Sequence, residues 1–167
     1  MLICCLNGKS QRVELRSLTL YVQAMAISFE QLREDFSFLD DWEDRYKHVI
    51  DLGRALPAMP EALKTSATKV NGCASQVWIY STPAKDGKLT LQGDSDALIV
   101  KGLIAIAFMI YAPLTTDQIV KMDAVPLFAE LGLKEHLTPQ RSNGLASMVA
   151  RIKADAAAAV ATPQSPA

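Results

Sequence analysis

The sequence is poor in the residues from which disulfide-rich and zinc-binding proteins are built. It has three cysteines and two histidines in 167 residues, and two of the cysteines, Cys4 and Cys5, are adjacent. This number and spacing exclude a regular disulfide framework and a four-ligand zinc set. They favour free thiols in a reducing compartment.

An excess of charge of one sign and a long apolar run are also missing. The chain has 17 Lys and Arg residues and 18 Asp and Glu residues, which gives a net charge of −1. Proteins that bind nucleic acid non-specifically carry an excess of positive charge, and this chain has none. The most apolar stretch, residues 97–112, is shorter than the roughly 18 residues of a membrane span and is interrupted by Lys101 and Gly102. After LICCL the N-terminus turns polar and charged, unlike a signal peptide. We expect a cytoplasmic protein that binds neither nucleic acid nor membrane.

Hydrophobic residues make up 50% of the chain, which is enough for the packed core of one domain. We place this domain at residues 25–158, followed by a flexible tail at 159–167. Residues 1–24 have no settled periodicity. They are either a flexible extension or the product of an upstream start, with Met25 as the true first residue.

Helical periodicity covers the first and last parts of the predicted domain. Apolar residues recur at helical spacing from Phe29 to Leu56, and Ser28 can cap the first helix. Thr138 and Pro139 open the last helix, because a proline at the first helical position has no N–H that needs a partner.

Two strand-like runs and one strongly apolar helix occupy the middle of the chain. Residues 76–81 (QVWIYS) and 88–93 (KLTLQG) are separated by the turn residues PAKDG, which predicts an antiparallel hairpin. Residues 97–111 predict a buried helix. Its candidate N-caps are Asp94, Ser95 and Asp96. The predicted fold class is therefore α+β, a small antiparallel β-sheet flanked by helices.

Cys73 is the candidate reactive residue. It lies in TKVNGCASQVW, directly before the first strand. Asn71 and Gly72 tolerate positive φ, so they can form a turn or hinge that presents the next side chain at a loop tip. Local context alone leaves open whether Cys73 is a reactive thiol or a small buried hydrophobe.

No second cysteine lies near Cys73 in the sequence, and this suits one kind of chemistry. A resolving thiol would collapse a persulfide (Cys–S–S⁻) to a disulfide, whereas a solitary cysteine holds its sulfane sulfur until an external thiolate takes it. We expect such a thiol to be shielded between transfers. Neighbouring apolar residues that could form the niche are Val70, Val77 and Trp78.

A cysteine–histidine catalytic pair is a different possibility. His48 falls inside the first helical region and His136 in the turn LKEHLTPQR, so neither spacing indicates a nucleophile with its base. The helix that follows Gly93 offers another way to activate Cys73. Its amide-rich start would favour a thiolate if it lay near the sulfur.

At these residues the sequence resembles the SufE family of sulfur-acceptor proteins, which includes the related CsdE. The resemblance covers about Phe29 to Asp155 and leaves out residues 1–24. It is carried by VNGCASQVW at 70–78, LQGDSDALIVKGLIA at 91–105 and HLTPQRSNGL at 136–145, with support from WEDRYKHVIDLGRALP at 42–57.

The resemblance implies a sulfur carrier without stand-alone turnover, in which Cys73 forms the cysteine persulfide intermediate. Its donor would be a SufS-like or CsdA-like cysteine desulfurase, which the carrier stimulates, and its acceptor a SufBCD-like iron–sulfur scaffold complex. Pyridoxal phosphate would reside on the desulfurase, and this chain would hold no cofactor or metal. The implied fold resembles the IscU scaffold, and a homodimer is compatible with it. Residues that match positions near the desulfurase-facing surface are Gly93, Asp94, Asp96 and Arg141.

Cofactor motifs support the same division of labour. The chain shows no phosphate loop, no glycine-rich dinucleotide motif and no obvious cofactor lysine, so cleavage of a C–S bond would occur on a partner. Two alternatives remain. The chain could be a CsdE-type carrier for another sulfur pathway, or a regulatory module that binds the desulfurase without carrying sulfur.

Overall fold

The computed structural model describes residues 27–84 and 86–161, which form seven helices and one β-hairpin. The predicted α+β class is confirmed, whereas the predicted extension at 1–24 lies outside the described residues. The elements in chain order are α1 (Phe29–Phe38), α2 (Trp42–Ala55), a 3₁₀ turn (Glu61–Leu63), β1 (Val77–Pro83), β2 (Leu89–Ser95), α3 (Leu98–Tyr111), α4 (Thr116–Lys121), α5 (Val125–Glu130), α6 (Leu133–His136) and α7 (Pro139–Ala161).

Helix α3 is the centre of the core, as its apolar sequence predicts. Twelve of its 14 residues are buried, and it packs against α2, β2 and α7. The crossing with α2 is very close, because a Cβ on Gly102 would overlap the carbonyl of Val49 and one on Gly53 would overlap that of Leu98. No helix in the described part of the chain is long and apolar enough to cross a membrane.

The hairpin pairs Val77 with Ser95 at one end and Pro83 with Leu89 at the other. Both predicted strands are confirmed, and each continues past its predicted end. The segment before Cys73 adds to the outer edge of β1. The N–H of Val70 donates to the Val77 carbonyl, and the N–H of Ile79 donates to the Thr68 carbonyl, both at 2.8 Å. These bonds fix both ends of the loop that carries Cys73.

Most of the predicted helix ends are confirmed. The hydroxyl of Ser28 accepts from the N–H of Gln31 at 3.1 Å, and α7 begins at Pro139. Helix α7 continues to Ala161, three residues past the domain end placed at residue 158. The alanine run extends the helix because alanine has the highest helix propensity.

The predicted N-cap of α3 is wrong. The helix is preceded by Ala97, which makes no side-chain cap bond. The three polar residues before it have other partners. Asp96 Oδ1 accepts from the N–H of Gln76 at 3.0 Å, the Ser95 hydroxyl accepts from the N–H of Ala97 at 3.3 Å, and the carboxylate of Asp94 is held by two lysines.

A buried ion cluster joins three parts of the fold at Asp94. Its side chain is 7% exposed, with Oδ1 2.7 Å from Lys101 Nζ on α3 and Oδ2 2.8 Å from Lys64 Nζ, which follows the 3₁₀ turn. Burial acts to raise the pKa of Asp94, but hydrogen bonds from the two ammonium groups and from the N–H of Ser95 outweigh it and lower that pKa. The cluster thus ties the segment leading to Cys73 to β2 and α3.

Loss of this carboxylate should destabilise the domain more than loss of an exposed one. We expect Asp94→Asn to lower the free energy of unfolding by about 2–4 kcal/mol, because Lys101 loses its counter-charge in a largely buried site and Lys64 keeps only its pair with the exposed Glu61. Asp51→Asn is the matched control. It removes an exposed pair of the same 2.7 Å length, with Arg54, and should cost less than about 1 kcal/mol.

Urea denaturation at several pH values measures both effects. The pKa of Asp94 is lower in the folded than in the unfolded chain, so its contribution is complete above the unfolded value of about 4 and is lost as pH falls through the folded value. The gap between wild type and Asp94→Asn should therefore shrink in acid. An equal cost for the two variants at neutral pH would contradict this account of the cluster.

Candidate functional site

Cys73 lies in the loop between Val70 and β1, directly after a glycine in the left-handed conformation. Gly72 has φ +89°, which confirms the predicted need for a residue that tolerates positive φ at this turn. Cys73 is half-buried and is the one cysteine in the described part of the chain.

The thiol is turned towards helix α7. Its Sγ lies 3.7 Å from the carbonyl oxygen of Gly144, to which the S–H donates a weak hydrogen bond. This contact joins residues that are 71 positions apart in the sequence. The loop is therefore in an inward conformation, with the sulfur against the helix.

A cavity of about 260 Å³ lies beside the sulfur. Its walls come from the Cys73 loop, from α3 and from the first turns of α7. The lining residues are Cys73, Ala74, Ser75, Val100, Leu103, Thr138, Gln140, Arg141, Gly144 and Met148.

The predicted niche of Val70, Val77 and Trp78 is wrong, since none of these residues lines the cavity. Val70 and Val77 are buried in the main core. The side chain of Trp78 leaves the strand on the opposite face from Val77 and lies under the ammonium of Lys64, 5.7 Å from the ring centroid.

Burial controls the ionisation of the thiol. It raises the pKa of Cys73 above the usual cysteine value, so the resting thiol is protonated at neutral pH. What the first turns of α3 contribute to the cavity beside the sulfur is the apolar side chains of Val100 and Leu103. The predicted thiolate-stabilising effect of this helix therefore does not prevail in the inward conformation.

Arg141 brings a cation to the cavity. It is half-buried in the first turn of α7, where its N–H lies 3.4 Å from the Thr138 hydroxyl, and it forms no ion pair with any other residue in the described ranges. A cation near a helix N-terminus is unfavourable unless an anion faces it. The cavity thus combines apolar walls with a guanidinium and the polar side chains of Ser75, Thr138 and Gln140.

The histidines are not brought to the thiol. His136 stacks on Trp42, with ring centroids 3.9 Å apart, and His48 lies 3.8 Å from the carboxylate of Asp35. Neither lines the cavity at Cys73. The geometry therefore gives no support to a cysteine–histidine catalytic pair.

The four candidate partner-binding residues fall into two groups. Gly93 and Asp94 are buried. A Cβ on Gly93 would lie 2.9 Å from Ile104, and Asp94 holds the ion cluster. Asp96 is exposed and Arg141 is half-buried at the cavity, so their side chains are the accessible members of the set.

Comparison with known proteins identifies the family. The model of the SufE family, described as an Fe-S metabolism associated domain, matches residues 30–156. The chain belongs to the SufE family. This confirms the resemblance inferred from the motifs and gives the chain a role in iron–sulfur metabolism.

Curated relatives and a solved structure agree with membership of the SufE family. An uncharacterized SufE-like protein of Rhizobium meliloti is 51% identical over 132 residues, which cover 77% of this chain and 94% of that protein. One of Rhizobium etli is 48% identical, covering 77% and 89%. The fold is similar to the solution structure of a hypothetical protein from Thermus thermophilus, with a TM-score of 0.65 and 20% identity over 80% of this chain and 96% of that one.

Sequence reasoning missed the apolar side chains with which α3 and α7 line the cavity beside Cys73. Val100, Leu103 and Met148 resemble ordinary core residues, so nothing local marks them as cavity walls. Gly144 could have been found from the sequence. A glycine inside a helical pattern lowers helix stability, so its presence indicates a close packing contact at that position.

The inward conformation predicts slow chemical labelling of Cys73. In a Cys4→Ser/Cys5→Ser background Cys73 is the sole cysteine. We expect iodoacetamide to label the folded protein about tenfold or more slowly than the urea-unfolded protein at the same pH, because burial raises the thiol pKa and limits access. Intact mass measures the rate, and equal rates in the two states would rule out the shielded thiol.

Proposed function

We propose that Cys73 accepts persulfide sulfur from a cysteine desulfurase, and that the chain passes this sulfur to an iron–sulfur scaffold complex. The observation that carries the proposal is the position of Cys73, on a loop fixed at both ends, with its sulfur beside a cavity lined by Arg141, a cation that has no ion pair among the described residues. Membership of the SufE family supports the link to iron–sulfur metabolism.

The transfer is a thiol–disulfide type of displacement. The Cys73 thiolate attacks the outer sulfur of the desulfurase persulfide, a new S–S bond forms on Cys73, and the desulfurase cysteine leaves as a thiolate. An acceptor thiolate later attacks the outer sulfur on Cys73 in the same way. Each step exchanges one S–S bond for another, so no oxidant or reductant is needed.

Cleavage of the C–S bond of cysteine belongs to the partner in this proposal. Pyridoxal phosphate on the desulfurase supplies that chemistry, and the residues around Cys73 hold and shield the product. Because the resting thiol is protonated, docking on the desulfurase must expose Cys73 or otherwise favour its thiolate.

The cavity suits a loaded carrier. A persulfide is anionic at neutral pH, and Arg141 with the polar side chains of Thr138 and Gln140 would face that charge. The apolar side chains of Leu103 and Met148 keep external thiols away from the sulfane sulfur. A module that only regulates the desulfurase would not need such a cavity beside its cysteine, so the cavity favours the carrier.

Sulfur loading tests the proposal directly. After incubation with a cysteine desulfurase and L-cysteine, the intact mass should rise by about one sulfur atom, and peptide mapping should place it on Cys73. Cys73→Ser should abolish loading, while Cys4→Ser/Cys5→Ser should not.

Desulfurase turnover in the same assay separates the two functions. A carrier with Cys73→Ser should lose its stimulation of turnover, whereas a pure regulator would retain it. Undiminished loading of Cys73→Ser would refute the assignment of the sulfur-accepting residue.

Arg141 should contribute to the partner-facing surface. We expect Arg141→Ala to weaken desulfurase binding by about tenfold, because it removes a cation that has no ion pair within the described part of the chain. The matched control is Arg33→Ala on α1. It removes an exposed arginine that lies 3.6 Å from Glu130 and does not line the cavity, and it should leave binding unchanged.

Binding can be measured by calorimetry with a desulfurase that lacks its nucleophilic cysteine. Thermal melting of both variants verifies the fold. Wild-type affinity for folded Arg141→Ala would contradict a partner-facing role for this residue.

A further inference from the structure

Gly144 stands where alanine would be the better helix-forming residue. It is buried in the N-terminal part of α7, and glycine in a helix interior lowers helix stability. Packing explains its presence. A Cβ at this position would lie 3.0 Å from Sγ of Cys73 and 3.5 Å from its Cβ, inside the ordinary contact distance to the sulfur.

A second close approach lies one helical turn further along. Ser147 is three residues after Gly144 and shares its face of α7. A Cβ on Gly72 would lie 2.9 Å from the hydroxyl oxygen of Ser147, and Gly72 also needs its positive φ. The loop and the helix therefore meet at two adjacent points, and a glycine stands at each of them.

We propose that Gly144 is a positioning residue, which together with Ser147 forms a seat on α7 for the Gly72–Cys73 turn and thereby holds the sulfur in its inward conformation. The functional significance of the seat rests on the proposed function, since protection of a bound sulfane sulfur matters only in a carrier. The seat itself is a property of the free protein, because both contacts lie within this chain.

The seat makes the inward conformation sensitive to a single methyl group. A side chain at residue 144 would lie too close to the sulfur, so the Cys73 turn must give by at least a few tenths of an ångström and its inward conformation is weakened. The displaced thiol gains solvent, which favours its thiolate and its access to reagents. The helix itself should gain stability from alanine, so fold loss and loop displacement are separable.

Alkylation of the free protein tests the seat. In the Cys4→Ser/Cys5→Ser background, Gly144→Ala should accelerate iodoacetamide labelling of Cys73 by about threefold or more near neutral pH. The pH at which labelling reaches half its maximal rate should also move down, a shift that a merely structural role would not produce. Asn143→Ala is the matched control, because it improves helix propensity at an exposed neighbouring position and should leave the rate and its pH profile unchanged.

A second variant approaches the loop from the other contact. Ser147→Leu should displace Gly72 and also accelerate labelling. If Gly144→Ala does not fold, the labelling rate of Ser147→Leu tests the proposal in its place. Labelling that is unchanged or slower in a folded seat variant would overturn the proposal, since the added side chain would then fill space without moving the sulfur.

Sulfur loading with a desulfurase and L-cysteine separates this inference from the proposed function. If the wild type fails to load sulfur on Cys73 while the seat variants label faster, the seat stands and the carrier function fails. If the wild type loads and the seat variants label at the wild-type rate, the carrier function stands and the seat fails.

Discussion

The structure depends on the burial of the central helix α3. Twelve of its 14 residues are buried, so other elements must cover most of its surface, with α2, β2 and α7 each covering one face. The contact with α2 is closest at Gly53 and Gly102, where the two backbones meet without intervening side chains. Because β2 and α7 pack on the same central helix, the loop that carries Cys73, directly before β1, lies against the first turns of α7. The candidate site forms where the two meet.

Much of the fold could be predicted because its signals are local. Three boundaries follow from backbone chemistry: the turn between the two strands, the start of α1 after its serine cap, and the start of α7 at a proline. The apolar run predicts the central helix. The N-cap of α3 could not be predicted in this way. Asp94 is a good cap by residue type, but it binds Lys64 and Lys101, and the position of Lys64 is decided by tertiary structure.

The site shows the same division between local and distant information. Cys73 and the positive φ of Gly72 could be predicted from NGC alone, because the turn needs no distant partner. The walls of the cavity could not, since Gly144 and Met148 lie more than 70 residues further along the chain. Val70 and Val77 are nearest in sequence, yet pairing with β1 and burial in the core turn them away from the sulfur.

The hydrogen bond between the N–H of Val70 and the carbonyl of Val77 also sets how far the sulfur can travel. With this bond and the bond from the N–H of Gln76 to Asp96 Oδ1 intact, only residues 71–75 are free to move, and Cys73 is three residues from each fixed end. Three extended residues span about 10 Å. The loop can therefore carry the sulfur only a short distance. In the proposed transfer, the donor and acceptor cysteines would each have to come within that distance of the sheet, so each partner would need a surface that fits this one.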